Sequence, residues 1–373
     1  MVTPLTFLQA REEEAGVKII DVLERIKEFE LTPGEYTAYP PGIVSDLQKL
    51  AEFPEFRLLK MANALWEDWP VTVYRACKVQ ACALFAVPVE IFVHDRGDTG
   101  NNGKTWLQSV MSVVAGEYYE PIDEGMITQR PPHPKDCNSA LFSLIGKRAL
   151  GLPEVEKTIK VQGSWLKKLA DPATVWGTRP PYGTAQINFK ICAVFCLSTN
   201  AKLDFTHSDG GIRRRGVGVN YPFHFCRNPV QPHERLAAVE DIKDEQFLKE
   251  HMPGWYYFLE CVHKVFFTGV GHCPTPGPQP YLVVQATAEL HREDSLDALK
   301  DFAERKLEDS TNEQAISKTG LIGLCAVDDS LKHMTRAQLT TAAGEVFTFH
   351  TIRGLRDRVK LNGSFVKEKL VAM

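Results

Sequence analysis

The reading of this chain turns on twelve residues, His94–Thr105, HDRGDTGNNGKT. They close on Gly103-Lys104-Thr105, the end of a phosphate-binding loop, but the general pattern GxxxxGK[ST] asks for glycine where Asp98 stands. A phosphate cradle needs glycines, so that successive backbone N–H groups can turn toward the anion, and a helix N-terminus behind them. It also needs a lysine for the outer phosphates and a hydroxyl for Mg²⁺. Gly97, Gly100 and Gly103 supply permissive backbone, and Asn101 and Asn102 tolerate left-handed conformations. Asp98 is the misfit, acceptable if its carboxylate turns away from the phosphates toward Arg96. The stretch alone admits two readings, a nucleotide site or a Gly/Asn turn that happens to end in Gly-Lys-Thr.

The flanks favour the first. VEIFV (89–93) is a short β-branched run that reads as a strand, and KTWLQSVMSVVAGE (104–117) has helical spacing. Further strands are expected at 147–152, 191–198 and 216–221, with helices at SALFSLI and SWLKKLA between them. Short apolar strands alternating with helices imply an α/β core with a largely parallel sheet. Before this core, IIDVLERIKEF and LAEFPEFRLLKMANALW read as helices. After residue 230 the pattern is mainly helical, through WYYFLECVHKVFF, LVVQATAEL and LDALKDFAERKLE. The last forty residues mix a helix near HMTRAQLTTAAGEVF with strand-like VFTFHTI and VKLNGSF.

At 373 residues the chain is too long for one ordinary core. An apolar fraction of 44% and a charged fraction of 24% are those of a globular protein. No run reaches the length of a membrane span, since VQACALFAVPVEIFV is broken by Pro88 and Glu90. REEE at 11–14 sits where a secretory signal would be apolar, and the nine cysteines form no CxxC pair. The expectation is therefore a protein of the host cytoplasm or nucleus, such as a viral replication site, and neither secreted nor membrane-bound. Net charge is −4, yet residues 141–230 carry thirteen Lys/Arg against five Asp/Glu, and residues 331–373 eight against three. Two basic segments in a mildly acidic chain suggest polyanion-binding surfaces, although solvated faces or internal pairs would look the same.

Hydrolysis of a nucleotide also needs acids at a neighbouring strand end, a polar group near the γ-phosphate and a cation for the charge in flight. KRALGLPEVE offers Glu154 and Glu156 after an apolar strand; ICAVFCLSTN ends in Ser198, Thr199 and Asn200; and Arg213, Arg214 and Arg215 precede the last strand. Taken singly, these read equally well as loop carboxylates, a turn and a solvated basic run. Cys261, His263, His272 and Cys273 suggest zinc only weakly, because residues i and i+2 of a helix do not face the same way.

Their order along the chain is what resembles a family. DTGNNGKT, then LPEVE, LKKLAD with TRPPYG, LSTNAK and DGGIRRRG resemble the superfamily 3 helicases, in particular the poxvirus-type primase-helicases of large DNA viruses and related mobile elements. The family loop GxGxNGK[ST] aligns Gly100, Asn102, Gly103, Lys104 and Thr105, leaving Asp98 at the first glycine. The strong motifs cover roughly 89–225, about a third of the chain.

The resemblance implies an AAA+-like P-loop NTPase core over 86–228. It also implies a helical N-terminal collar or oligomerisation domain over 1–85, a helical lid region over 229–330 and a winged helix over 331–373. Implied cofactors are ATP and Mg²⁺. Gly100, Asn101, Asn102, Gly103, Lys104, Thr105 and Trp106 would bind the nucleotide, with Thr105 and Glu154 on the metal. Glu154 or Glu156 would orient water, Asn200 would sense the γ-phosphate, and one of Arg213–Arg215, Arg214 by preference, would act in a neighbouring subunit. Lys167, Lys168, Arg179, Tyr182 and Lys190 would follow single-stranded DNA along a hairpin. The implied activity is ATP-driven unwinding in viral DNA replication by a homo-hexameric ring on single-stranded or forked DNA, with a primase domain or subunit as partner. Two rivals stand beside it: an AAA+-type ATPase that remodels or loads replication proteins without unwinding, and a degenerate, non-catalytic DNA-binding ring subunit.

Overall fold

The computed structural model describes residues 4–32, 36–98, 100–129, 138–153, 160–179, 183, 185–201, 203–205, 210–238, 242–270, 273–310, 316–328, 331, 336–350, 358–361 and 364–368. The chain divides into two compact units, residues 1–204 with 215–287, and residues 205–214 with 288–373.

In the first unit, seven strands matter for the site. They are β1 (Phe92–Arg96), β2 (Tyr119–Pro121), β3 (Ala149–Leu152), β4 (Val175–Thr178), β5 (Ile187–Lys190), β6 (Val194–Thr199) and β7 (Gly216–Asn220). Five of them form a parallel sheet in the order β2-β3-β6-β1-β7, while β4 and β5 pair antiparallel as a separate hairpin. The centre of the sheet is buried throughout: every residue of β3 and β6 is buried, as are the first four of β1 and of β7. Strands covered on both faces read as continuous apolar runs, which is why ALGL and VFCL were legible.

The helix Lys104–Ala115 links β1 to β2 at the far edge, and the chain then returns through β3 to β6, beside β1. From β6 it crosses β1 to reach β7. The connections leaving β1 and β6 therefore run in opposite directions along the sheet. Two adjacent strands whose connections part in this way open a crevice at their carboxyl ends.

The strand expected at 89–93 lies three residues later, at Phe92–Arg96. Its pairing with β6 starts at Phe92↔Phe195, whereas Glu90 N–H instead donates to Pro274 O at 2.9 Å. Polar His94 and Asp95 are drawn into the sheet because each has a buried partner. His94 Nε2 lies 2.8 Å from Thr199 Oγ1, and Asp95 forms a bidentate pair with the buried Arg75 guanidinium.

Helices of the same unit share one core with the sheet. Ile19, Val22, Leu23 and Ile26 form the buried stripe of the helix Ile19–Glu30, and Leu248, Trp255, Phe258, Leu259, Val262 and Val265 that of Glu245–Phe266. Between Trp69 and Leu84 the chain is helical, with a π-helical stretch at Thr72–Lys78 whose residues are all buried. Two cations of that stretch are neutralised inside the core, Arg75 by Asp95 and Lys78 by Glu30. Glu30 also accepts from the hydroxyls of Tyr36 and Tyr39. Burial and the nearby Glu30 charge hold the Tyr39 phenol well above its usual range.

The second unit holds the C-terminal part of the helix Tyr281–Lys306, helices Lys318–Val327 and Arg336–Val346, and a four-stranded antiparallel sheet. The helical patterns at LVVQATAEL and LDALKDFAERKLE, separate in the sequence reading, join as one helix of 26 residues that ends at Lys306, while Leu307 and Glu308 open a strand. The sheet order is Leu307–Ser310, Ser364–Glu368, Arg358–Leu361, Thr348–His350, around a core that includes Leu321, Leu339, Phe347, Val359 and Val366. The whole is a mixed α/β chain with a parallel central sheet and many helices.

Candidate nucleotide site

Gly97 and Asp98 follow the carboxyl end of β1, and Gly100–Gly103 lead into the helix Lys104–Ala115. Two backbone positions make the turn. Asn101 is left-handed at φ 55°, and Gly103, the residue before the helix, has φ 88°. A Cβ on Gly103 would lie 2.2 Å from Leu65 Cδ2, so glycine is required there both by conformation and by contact. A Cβ on Gly97 would meet Asn102 Nδ2 at 1.9 Å and Lys104 Nζ at 3.0 Å, so a larger residue there would displace these two side chains.

The lysine is buried and directed back over the loop. Lys104 Nζ donates to Asn200 Oδ1 at 2.9 Å, to Asn102 Oδ1 at 3.0 Å and to Gly97 O at 3.3 Å. Asn200 comes from the end of β6, ninety-six residues away in sequence, and the Arg96↔Thr199 register of β1 and β6 places it there. Three of the expected residues are thus brought together: Lys104, Asn102 and Asn200. Asp98 points away, its side chain 77% exposed, with Oδ1 3.0 Å from Arg96 Nη2.

Beneath the loop lies a buried polar layer that the sequence reading missed. Gln108, one turn after Lys104, donates from Nε2 to Ser198 Oγ at 2.8 Å and to Leu152 O at 3.2 Å. One side chain therefore ties the loop helix to the ends of β3 and β6. Its i+4 spacing from Lys104 was visible in the sequence; its partners, 44 and 90 residues distant, were not. Burial raises the pKa of Arg75's neighbour Cys196 to about 11, so this thiol stays protonated, and the same burial with the Asp95 charge lifts Tyr221 well above a free phenol. Arg75 itself loses hydration on burial, yet Asp95 raises it well above the usual guanidinium value.

Beside the loop is a cavity of about 700 Å³. Asn101, Asn102, Gly103, Thr105 and Trp106 form one wall, with Leu65 of the preceding helical segment above and Phe225, Cys226, Arg227, Leu236 and Lys243 opposite. The opposite wall is stitched to the loop: Phe225 N–H donates to Asn101 O at 2.8 Å, and His224 Nδ1 lies 2.9 Å from Gly100 O. Trp106 is 2% exposed, and its indole N–H has no acceptor among the described residues. A buried donor without a partner beside a cavity suits a ligand acceptor. Lys104, the loop amides at a helix N-terminus, the exposed hydroxyl of Thr105 and this donor fit a nucleoside triphosphate with its metal ion.

Other expected residues lie elsewhere. Glu154, Glu156 and Tyr182 are outside the described residues. Arg179 follows β4 and is exposed, and Lys190 ends β5 opposite Val175, so they occupy opposite ends of the hairpin ladder. Lys167 is half-buried, and Lys168 is exposed with Nζ 5.9 Å from the Trp176 ring centroid; Trp176 in turn stacks on Trp165. Arg214 is exposed and Arg213 half-buried, whereas Arg215 is largely buried against Glu90 and Asp171. Because Gly216 pairs with Phe92, Arg215 stands at the amino end of the sheet and Lys104 beyond its carboxyl end. A five-residue strand separates those edges by about 17 Å. His263 stacks on Phe85 at 4.4 Å and Cys261 is buried, while His272 is outside the described residues.

No family model matches the chain. It is 24% identical over 230 residues to the protein named "Putative primase C962R" in the Warthog/Namibia and Pig/Kenya isolates of African swine fever virus. The match takes in 58% of this chain but 22% of those proteins, so the chain spans about a fifth of the length of these relatives. Among solved structures, the A-form apo structure of the NrS-1 C-terminal region superposes with a TM-score of 0.42 at 13% identity, over 88% of this chain and 77% of that one. A superposition at that level carries no argument. Among the described residues, no helix is long and apolar enough to cross a membrane. What the comparisons establish is weak sequence similarity to viral proteins that carry the name of a primase.

Proposed function

We propose that this chain is the ATP-hydrolysing motor of a viral DNA replication protein, a helicase of the superfamily 3 type. The observation that carries the reading is the meeting of Lys104 with Asn200 at the β1–β6 crevice, beside a cavity walled by the same loop. A buried lysine, a carboxamide from the neighbouring strand and a cavity beside them support reading Lys104 as the phosphate-binding cation and Asn200 as the sensing group. The similarity to viral proteins named as primases supports a place in DNA replication, with a primase domain or subunit as partner.

On this reading Lys104 leaves its amide partners for the β- and γ-phosphates, which the amides of residues 100–105 also receive. Thr105 and Glu154 would hold Mg²⁺, which when bound would supply positive charge to the phosphates. Glu154 or Glu156 orients the attacking water and accepts its proton, while Asn200 holds the γ-phosphate. Gln108 ties the end of β3 to the end of β6, from which Asn200 follows. Trp106 donates its indole N–H to the base or ribose.

The position of Arg215 supports action between subunits. Arg215, which enters β7 at the amino edge, does not reach phosphates at the carboxyl edge of the same sheet. The arginine run serves a neighbour's site in a homo-hexameric ring. Lys167, Lys168, Arg179, Tyr182 and Lys190 contact the DNA backbone and bases, which makes binding salt-dependent and sequence-tolerant. Residues 331–373, as a winged helix, add a second nucleic-acid surface, and the N-terminal helices serve as collar.

The test is ATP turnover by the purified chain with and without single-stranded DNA. DNA is expected to raise the rate several-fold, and Lys104→Ala to abolish it. Turnover that ignores DNA would instead favour a protein-remodelling ATPase.

A further inference from the structure

We propose that His224 is a positioning residue of the nucleotide site. With the backbone of Phe225 it fixes two peptide planes of the phosphate loop, so that their N–H groups serve the polyphosphate. This inference deepens the proposed function and rests on it.

The loop is tied to a strap made of two short strands, His224–Cys226 and Glu234–Leu236, which pair parallel. His224 Nδ1 lies 2.9 Å from Gly100 O, and Phe225 N–H donates to Asn101 O at 2.8 Å. A carbonyl oxygen can only accept, so Nδ1 carries a proton in this contact. Two consecutive loop carbonyls thus point at the strap. In a trans peptide the C=O and the N–H that follows it point in opposite directions, and both peptides here are trans. The N–H groups of Asn101 and Asn102 are therefore turned away from the strap. Between the two tied carbonyls, Asn101 stands at φ 55°, a left-handed conformation that a side-chain-bearing residue keeps only where its neighbours hold it. With Gly103 at φ 88° and a helix starting at Lys104, this is the backbone setting in which successive amides cradle an anion.

The strap is itself held at both ends. At one end Tyr221 N–H donates to Arg96 O at 2.7 Å, and Trp66 Nε1 donates to Asn220 O at 3.0 Å. At the other, Arg235 makes a two-point ion pair with Glu67, Nη2 to Oε2 at 2.8 Å, and its guanidinium lies 3.8 Å from the Phe223 ring centroid. All of these residues belong to the first compact unit. Amides preset in this way need no rearrangement when phosphate arrives, and that saving appears as affinity. The device acts on the polyphosphate whatever base is attached to it, which separates it from a wall that merely encloses the cavity.

His224→Leu removes the side-chain donor. His224→Asn restores it, because asparagine Nδ2 stands where histidine Nδ1 does. Isothermal titration of the full chain with Mg-ATP, and with magnesium tripolyphosphate, which has no base, is compared with the urea midpoint of each variant. In His224→Leu both ligands are expected to bind about threefold to tenfold more weakly, the worth of one hydrogen bond, at an unchanged urea midpoint. His224→Asn is expected to bind both within about twofold of wild type. Wild-type affinities in His224→Leu, a loss confined to Mg-ATP, an equal loss in His224→Asn, or a fall in urea midpoint that matches the loss of binding would each overturn the positioning role and leave the proposed function standing. So would a wild-type chain that binds Mg-ATP but not tripolyphosphate. A wild-type chain that binds neither ligand would overturn the proposed function, and this role with it.

Discussion

Asp98 occupies the position where a phosphate loop usually has glycine, and its carboxylate lies 3.0 Å from Arg96 Nη2 on the exposed side of the turn. An exposed pair of this kind contributes about 0–1 kcal/mol, so neither its charge nor its bond holds the loop in shape. The loop instead depends on Gly103, at φ 88° against Leu65. The two kinds of position should respond oppositely to substitution. Asp98→Gly is expected to leave folding stability within about 0.5 kcal/mol and nucleotide affinity near wild type. Gly103→Ala, strained by conformation and by contact, is expected to cost about 1–3 kcal/mol and to weaken nucleotide binding markedly. Urea denaturation and nucleotide titration of the two variants check this. The GxGxNGK[ST] spelling named Asn102, Gly103 and Lys104 from sequence alone. Nothing local could name Gln108 or Leu65 as their supports, because those contacts come from distant segments.

At the scale of elements, the strands and helices with a clear period were legible, and their ends were not. VEIFV suggested a strand closing at residue 93, yet the strand runs through His94, Asp95 and Arg96, because Thr199 and Arg75 satisfy the polar groups inside the sheet. A sequence pattern treats buried histidine and aspartate as strand breakers unless their partners are known. Likewise, LVVQATAEL and LDALKDFAERKLE gave two periods where a single helix continues through the polar HREDS. A basic hairpin near Arg179 to Lys190 was implied by the family resemblance, and a β4–β5 ladder pairs Val175–Thr178 with Ile187–Lys190, Trp176 stacking on Trp165. The helix Glu245–Phe266 is the element whose packing reaches furthest. It contacts the N-terminal helices, the π-helical segment and the loop helix Lys104–Ala115. Phe258 on that helix is fully buried. Phe258→Ala is expected to destabilise the chain by about 3–5 kcal/mol by chemical denaturation, as a large cavity in a packed core does.

For the whole molecule, the two edges of the parallel sheet divide the labour. The carboxyl edge gathers Lys104, Asn102, Asn200 and the cavity; the amino edge holds Arg215 between Glu90 and Asp171. Within one copy these stand at opposite ends of the strands, and the proposed ring is the arrangement in which an arginine of one subunit would meet the carboxyl edge of the next. The uneven charge of the sequence follows the same division, since the basic stretch 141–230 includes the hairpin and the arginine run while net charge stays at −4. All of this depends on one claim, that the loop 97–105 binds a nucleotide. Isothermal titration of wild type and Lys104→Ala with Mg-ATP tests it most directly. Removal of a charged hydrogen-bond donor is worth about 1.5–3 kcal/mol, so wild-type binding should weaken at least about tenfold in the variant. No heat of binding in wild type, or equal affinity in both proteins, would contradict the account.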